Sequence, residues 1–288
     1  MRFSIVIPTY RRPRQLAECL QAVQAQDYPP TEFEVVVVSD GPDAETAAVT
    51  ARAGIRAIVP EHGGPAKARN AGAREAKGDF LLFLDDDCRP EPNWLREWDR
   101  HTRHHPEALS GGGTRNALRE ELCPQASQLM TEFIQGYFNS GEPGRAPFLA
   151  TNNLCVPAAR FAELAGFSTR FPLAAAEDRD FCDRWHQRGW PMAEAPRAVV
   201  AHAHHMNLAQ FWRQHWNYGR GAWQLRRARQ GRQQPQRVEP PGRFYGALLG
   251  FAWRHEPPWR AAPLCVLMGL SQVANAAGFL SERRRANQ

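Results

Sequence analysis

Along the first part of the chain, apolar residues gather in short uninterrupted runs, and each run ends in a polar cluster. Residues 3–7 (FSIVI) lead into Pro8-Thr9-Tyr10, residues 33–38 (FEVVVV) into Ser39-Asp40-Gly41-Pro42, and residues 55–59 (IRAIV) end near Glu61. The central run, residues 80–84 (FLLFL), lies between Gly78 and Pro90 and drives into Asp85, Asp86 and Asp87. Runs of this length without alternation predict strands buried on both faces. Helical patterns separate them. Leu16, Leu20 and Val23 follow Pro13 at helical spacing, an Ala-rich segment stops at Gly54, and Gly63-Gly64-Pro65 open AKARNAGAREAKG. Pro92 starts a further helix with Trp94, Leu95 and Trp98 on its apolar face. Strands alternating with helices predict βαβ units and a parallel sheet. Ligands of such sheets bind at the carboxyl ends of the strands, where Thr9-Tyr10, Ser39-Asp40 and the three aspartates fall.

From Gly111 the texture changes. GGGTRN reads as flexible, residues 118–137 as helical, residues 148–153 as a strand with a polar end, and residues 157–165 as a helix. Phe181, Cys182 and Trp185 mark one face of a helix that stops at Gly189. Glu177 and Asp178 fall at its N-terminus, where the macrodipole favours ionised carboxylates. Residues 197–202 form a short strand ending in histidines. Beyond Asn207 the chain is basic and aromatic, with a polar linker over 231–241. Residues 261–280 carry no charge and have the length of a membrane span. Pro263, Ser271, Gln272 and Asn275, with leucines near helical spacing, favour an amphipathic helix packed on the domain, a partner subunit or a membrane surface. The expected division is 1–110, 111–225 and 226–288.

The 288 residues suffice for one large domain or a domain with an extension. The net charge of +6 comes from arginine, much of it late, including Arg213, Arg220, Arg226, Arg227, Arg229, Arg232, Arg237 and Arg243. Such a run suits phosphates, lipid headgroups or nucleic acid, or is a solvated basic face. The six cysteines are scattered with no CxxC pair, which argues against structural zinc and a disulfide framework and fits a reducing compartment. No apolar signal-peptide core opens the chain, so cytoplasmic residence is the default expectation. Three aspartates at a strand end are either a solvated turn or a holder for a divalent cation against a phosphorylated ligand.

Four segments in order, SIVIPTYRR, VVVVSDGP, GGPAKARNAGAREAKGDFLLFLDDDCRP and AEDRDFCDRWHQRGW, resemble the successive motifs of the inverting family-two glycosyltransferases. The resemblance implies an α/β GT-A fold: a Rossmann-like, mixed, mostly parallel sheet flanked by helices, with a helical C-terminal extension. It implies that Pro8, Thr9, Tyr10, Arg12, Lys67, Arg69, Asn70 and Asp86 bind the nucleotide-sugar donor, with Asp40 on the base, typically uracil. Asp85 would reach the ribose or the metal shell. Asp87 would coordinate Mg2+ or Mn2+, with His202 a further ligand and His204 the alternative. Asp178 would be the general base, and Asn153, Glu177 and Trp185 would face the acceptor. Alternation along the strand end sets Asp85 and Asp87 on one side and Asp86 on the other. Each motif also has a purely local explanation: a turn cap at Asp40, a solvated helix face at Lys67 and Arg69, a helix start at Glu177-Asp178, surface histidines at 202–205. Their order promotes the functional reading.

The implied partners are a nucleotide-sugar donor, a UDP-sugar by preference, and a glycan or lipid-linked acceptor in polysaccharide, glycolipid or cell-envelope glycan synthesis. A homo-oligomer and peripheral contact of the C-terminal region with the inner face of the cytoplasmic membrane complete the expectation; nucleic acid is not a partner. The QxxRW motif of processive members is only hinted at in residues 214–218, so a single-transfer enzyme is expected. The competing readings are a nucleotide- or membrane-surface-binding protein without transferase activity, and a sugar-phosphate nucleotidyltransferase. The latter would open with a glycine-rich loop that SIVIPTYRRPRQ lacks.

Overall fold

In the computed structural model the elements follow in the order β1 (Phe3–Thr9), α1 (Pro13–Gln24), β2 (Phe33–Ser39), α2 (Ala44–Arg52), β3 (Ala57–Ile58), α3 (Pro65–Glu75), β4 (Phe80–Leu84), β5 (Cys88–Pro90), α4 (Trp94–His104), β6 (Leu109–Asn116), α5 (Leu122–Phe138), β7 (Asn153–Pro157), α6 (Ala158–Glu163), α7 (Glu177–Gln187), β8 (Met192–His202), α8 (Leu208–Gly231), α9 (Pro241–His255) and α10 (Pro258–Arg285). The structure describes residues 1–139, 147–171, 173–233 and 241–286. Arg237 and most of the 231–241 linker lie outside the described residues. Two compact units emerge. The first comprises residues 1–117, 149–172 and 177–203; the second comprises 118–148, 173–176 and 204–288.

The first unit is built on a sheet in the order β3-β2-β1-β4-β7-β6-β8-β5. β1 pairs in parallel with β2 and β4, β2 with β3, and β6 with β8. β7 is antiparallel to both β4 and β6, and β5 to β8. The sheet is therefore mixed. Every residue of β4 is buried, because the strand sits between β1 and β7 with a core on each face. One core joins Ile5, Ile7, Leu16, Leu20, Leu82, Trp94 and Trp98; the other joins Val6, Val38, Leu81, Phe83, Phe167, Phe181 and Trp185. α3 lies close on the sheet through Gly72, where a Cβ would come within 2.5 Å of Val6 Cγ1.

Three expectations change here. The glycine run at 111–113 is not a flexible loop but the middle of β6. Its glycines make room for neighbours: a Cβ on Gly112 would overlap the Asn153 amide and stand 2.7 Å from the Ala198 carbonyl oxygen. The strand expected at 148–153 begins only at Asn153. Its polar residues lie at the start of β7, and because β7 is antiparallel to β4, that start shares an edge with the β4 carboxyl end: Asn153 pairs with Leu84. The strand at 197–202 is longer, from Met192, and its end pairs His202 with Cys88 of β5.

The second unit is helical. α5, α8, α9 and α10 enclose an apolar cluster that includes Leu129, Phe133, Phe211, Leu248, Leu264 and Met268. An Asn207–Gln210 capping box starts α8. α10 turns Leu264, Met268, Ser271, Ala274 and Gly278 inward. By length and composition it could also cross a membrane.

Candidate active site

The candidate site lies in the first unit, on the sheet edge formed by the ends of β1, β2, β4 and β8. The three aspartates follow β4 in a turn closed by the Cys88 amide donating to the Asp85 carbonyl at 3.0 Å. Strand alternation does not apply in that turn, and the expected pairing of Asp85 with Asp87 gives way to another. Asp86 and Asp87, both buried, share Arg12, whose Nη1 stands 3.2 Å from Asp86 Oδ1 and 3.0 Å from Asp87 Oδ2. Thr9, at the end of β1, donates its hydroxyl to Asp86 Oδ2 at 2.7 Å. Asp85, less buried, turns to Arg69 at 2.7 Å. Burial first, and then the adjacent Asp87 charge, push the Asp86 pKa up to about 7 against the pull of Arg12 and Thr9.

His202 reaches the same cluster from β8. Its Nε2 is 3.2 Å from Asp87 Oδ1. Burial acts to lower its pKa, but the Asp87 charge and hydrogen bond outweigh it, so the net shift is upward. Two ligands bound at right angles to a cation of Mg2+ size, at about 2.1 Å each, would stand about 3 Å apart, so Asp87 and His202 fit one divalent ion. Cys88 brings its Sγ within 4.8 Å of both ligand atoms. Its thiol is buried and its pKa is pushed well up by that burial and by the aspartates, so it stays protonated and soft beside a hard cation. The residues that would hold a hard divalent cation are therefore Asp87 and His202.

Arg69, on α3, is buried between two carboxylates, with Nη2 on Asp85 and Nη1 on Glu177 Oε1 at 3.0 Å. This links the aspartate turn to the start of α7. Glu177 is buried and its Oε2 has no hydrogen-bond partner among the described residues. Burial and the Asp178 charge push its pKa up to about 7, against Arg69. Asp178 is partly exposed and accepts the Arg179 amide at 2.7 Å; burial raises its pKa as well. Two non-glycine residues with positive φ stand beside these groups: Arg11 at 52°, before Arg12, and Ala176 at 74°, before Glu177. Such conformations cost of order 1–3 kcal/mol each and gather at functional sites.

On the donor side, Tyr10 is exposed and stacks on His62 at 4.6 Å. Asp40 accepts the amides of Gly63 at 2.8 Å and Gly64 at 2.9 Å, with His62 Nδ1 2.9 Å from its Oδ2. Asp40 thus holds the loop that opens α3. His62 was not singled out from sequence; the signal was its place directly before Gly63-Gly64. Pro8 lies in β1, at the end of which the network starts. Lys67 is half-exposed, 4.0 Å from Glu61.

Three expected ligand contacts become structural. Asn70 donates to the Phe167 carbonyl at 2.7 Å and accepts its amide at 2.9 Å, which fixes a loop instead of a nucleotide. Asn153 donates both amide hydrogens, to the carbonyls of Gly113 and Ala198, accepts from Trp94 Nε1, and is buried inside the sheet. Trp185 is fully buried and donates to the Pro191 carbonyl. The ends of β1, β2, β4 and β8, with α3 and the start of α7, carry the other residues that the motif order brought forward.

Residues 4–140 match the family model for glycosyl transferase family 2. The chain belongs to glycosyl transferase family 2. This family-two chain is 31% identical over 213 residues to the succinoglycan biosynthesis protein ExoM of Rhizobium meliloti, covering 69% of this chain and 66% of that protein. It is 30% identical over 148 residues to the poly(ribitol-phosphate) beta-N-acetylglucosaminyltransferase TarS of Staphylococcus aureus, covering 46% of this chain and 26% of TarS. The chain spans between 26% and 32% of the length of the first curated relatives it matches. Among solved structures, the mannosyltransferase PcManGT of Pyrobaculum calidifontis, in complex with GDP-Man and Mn2+, superposes with a TM-score of 0.68 at 16% identity, covering 98% of this chain and 87% of PcManGT. Residues 1–349 of S. aureus TarS in complex with UDP-GlcNAc give 0.56 at 18% identity, covering 100% and 93%. The fold is GT-A, with a helical C-terminal region.

Proposed function

We propose that this family-two protein transfers a sugar from a nucleoside-diphosphate donor to an acceptor hydroxyl, with inversion at the anomeric carbon and with a divalent cation held by Asp87 and His202. The observation that carries the reading is the 3.2 Å approach of Asp87 Oδ1 to His202 Nε2, at the sheet edge where the Thr9–Asp86–Arg12 network ends. The relatives point the same way: one solved neighbour was captured with GDP-Man and Mn2+, another with UDP-GlcNAc. When bound, a hard cation neutralises charge building on the departing diphosphate; both Mg2+ and Mn2+ suit a carboxylate–imidazole pair.

The protein's own groups do the rest. Tyr10, Asp40 and the Gly63-Gly64 loop border the space for the nucleoside. Asp178 takes the proton from the acceptor hydroxyl, and its raised pKa makes it a stronger base than a surface carboxylate. The acceptor oxygen forms its bond to the anomeric carbon from the far face as the bond to the diphosphate oxygen breaks. The electron pair leaves with the diphosphate and the proton stays on Asp178. Arg69 joins the aspartate turn to the start of α7 by holding Asp85 and Glu177 on either side. For the donor we favour a UDP-sugar, and for the acceptor a cell-envelope or exported glycan, in line with the names of TarS and ExoM.

The test is a panel of nucleotide sugars assayed for nucleoside-diphosphate release with Mn2+, with Mg2+ and with EDTA. Wild-type protein should turn over at least one donor only when metal is present, and Asp87→Ala should abolish that turnover. Full activity of Asp87→Ala under EDTA overturns the metal assignment. No release from any donor overturns the transferase reading in favour of a non-catalytic nucleotide-binding protein.

A further inference from the structure

The outer face of α10 has a period that the enzyme reading does not use. Leu264, Met268, Ser271, Ala274 and Gly278 pack inward against the second unit. On the opposite side Trp259, Val266, Val273 and Leu280 recur every seven residues and remain 73%, 71%, 59% and 49% exposed. Ala262, Gly269 and Ala276 lie between them, three residues after each of the first three. The result is a heptad seam over the whole helix, with large residues at one core position and small residues at the other. A Cβ on Gly269 would meet nothing within 4 Å. The one cation near the start of the helix, Arg260, is buried and held by Glu120 at 2.6 Å; its guanidinium carbon lies 5.6 Å from the centroid of the Trp259 ring, so it reaches only that end of the outer face. The exposed cations of α10 are confined to Arg283, Arg284 and Arg285 at its far end.

We propose that α10 is a self-association surface, and that two copies of this chain pair through it in antiparallel orientation. In antiparallel coiled coils the two kinds of core position face each other. The register that sets Trp259 against Arg283 of the second copy also sets Ala262 against Leu280, Val266 against Ala276, and Gly269 against Val273. Each apolar layer then joins one large and one small side chain, and the end layers stack a guanidinium on an indole. A parallel pair would face Gly269 with Gly269 and crowd both arginine clusters together. A two-fold axis across the helices makes the contact closed and identical from both sides. The exposed seam offers on the order of 500 Å2 from each copy, so the pair removes about 1,000 Å2 from water, the lower limit for a specific interface. A bilayer surface is the weaker fit, because in-plane membrane helices carry basic residues along the polar face and here they stand only at one end.

Sedimentation equilibrium or light scattering on the full chain at about 10–100 μM, the range in which a modest dimer is populated, should give twice the 32.5 kDa mass of one chain. Val273→Glu, on an exposed site that folding does not need, should weaken association at least about tenfold while leaving the circular dichroism melt unchanged. Orientation is read by oxidation on a Cys123→Ser, Cys265→Ser background. A mixture of Ala262→Cys and Leu280→Cys chains should cross-link, and neither variant alone should do so. A single-chain mass throughout, or Val273→Glu that associates like wild type, overturns the proposal. So does cross-linking of Ala262→Cys alone, which would mean a parallel pair. Single chains that bind phosphatidylglycerol vesicles through Val273 would assign the face to membrane instead.

Discussion

Arg69→Met removes the cation between Asp85 and Glu177 while keeping a long apolar side chain in place. Arg69 and Glu177 are each 5% exposed at the side chain and Asp85 is 29% exposed, so water can hydrate Asp85 but not Glu177. Breaking a buried pair from one side costs about 3–5 kcal/mol, because the remaining charge is left without compensation. Glu177 can escape part of that cost by taking a proton. Its carboxyl already titrates near 7 in the folded protein, against an ordinary value of 4.5. A carboxyl whose pKa rises on folding contributes nothing below the unfolded value, where both states hold the proton. Between 4.5 and about 7 the unfolded chain releases its proton and the folded one keeps it, so stability falls with rising pH; above that it levels off. Without Arg69 the folded pKa climbs further and the fall continues to higher pH. Urea unfolding of metal-free protein should therefore show a loss of about 1–2 kcal/mol for Arg69→Met at pH near 5 and about 3–5 kcal/mol near 8. Adding Glu177→Gln should recover much of the difference at the higher pH. A loss below about 1 kcal/mol, or one equal at both pH values, would refute a buried ionic link between α3 and α7.

Three further outcomes follow from named contacts. Asp178→Asn should lower kcat by about 10²–10⁴ with donor affinity nearly unchanged, measured by donor titration and steady-state kinetics; an unchanged kcat removes Asp178 as the base. Gly112→Ala should destabilise the first unit by about 1–3 kcal/mol in chemical denaturation, since its methyl collides with the Asn153 amide inside the sheet. Asn207→Ala should cost about 0.5–2 kcal/mol by removing the α8 capping box, seen as a lower midpoint for the helical unit.

Much of the first unit was legible because burial on both faces erases alternation: residues 80–84 read as a central strand and are one. The terminal carboxylates stood out because three acids at the end of a buried strand need solvent or a cationic partner, and Arg12 is the partner of Asp86 and Asp87. Other features depend on information that no local pattern carries. Gly111–Gly113 read as a loop because glycine signals freedom in isolation, whereas here it signals crowding by Asn153 and Leu149. The direction of β7 follows from tertiary pairing, and with it the fact that Asn153 opens a strand instead of ending one. Asp86 was set apart by strand alternation, but the chain had already turned, and Arg12 drew Asp86 and Asp87 together. Trp185 shows the ambiguity of an aromatic near a proposed groove: its helical face was read correctly, and that same face buries it.

The pairing of β5 with β8 has a consequence for how the protein matures. Asp87 precedes β5, but His202 closes β8, the last strand of the sheet, and the two meet only when Cys88 finds His202 across the antiparallel ladder. A chain emerging from synthesis has its acidic turn long before it has the imidazole. A divalent cation held by both residues, as proposed above, would bind only after the sheet is complete, and by linkage it would favour the finished form. A chain cut or misregistered before His202 keeps all three aspartates and lacks the imidazole that the proposal pairs with Asp87.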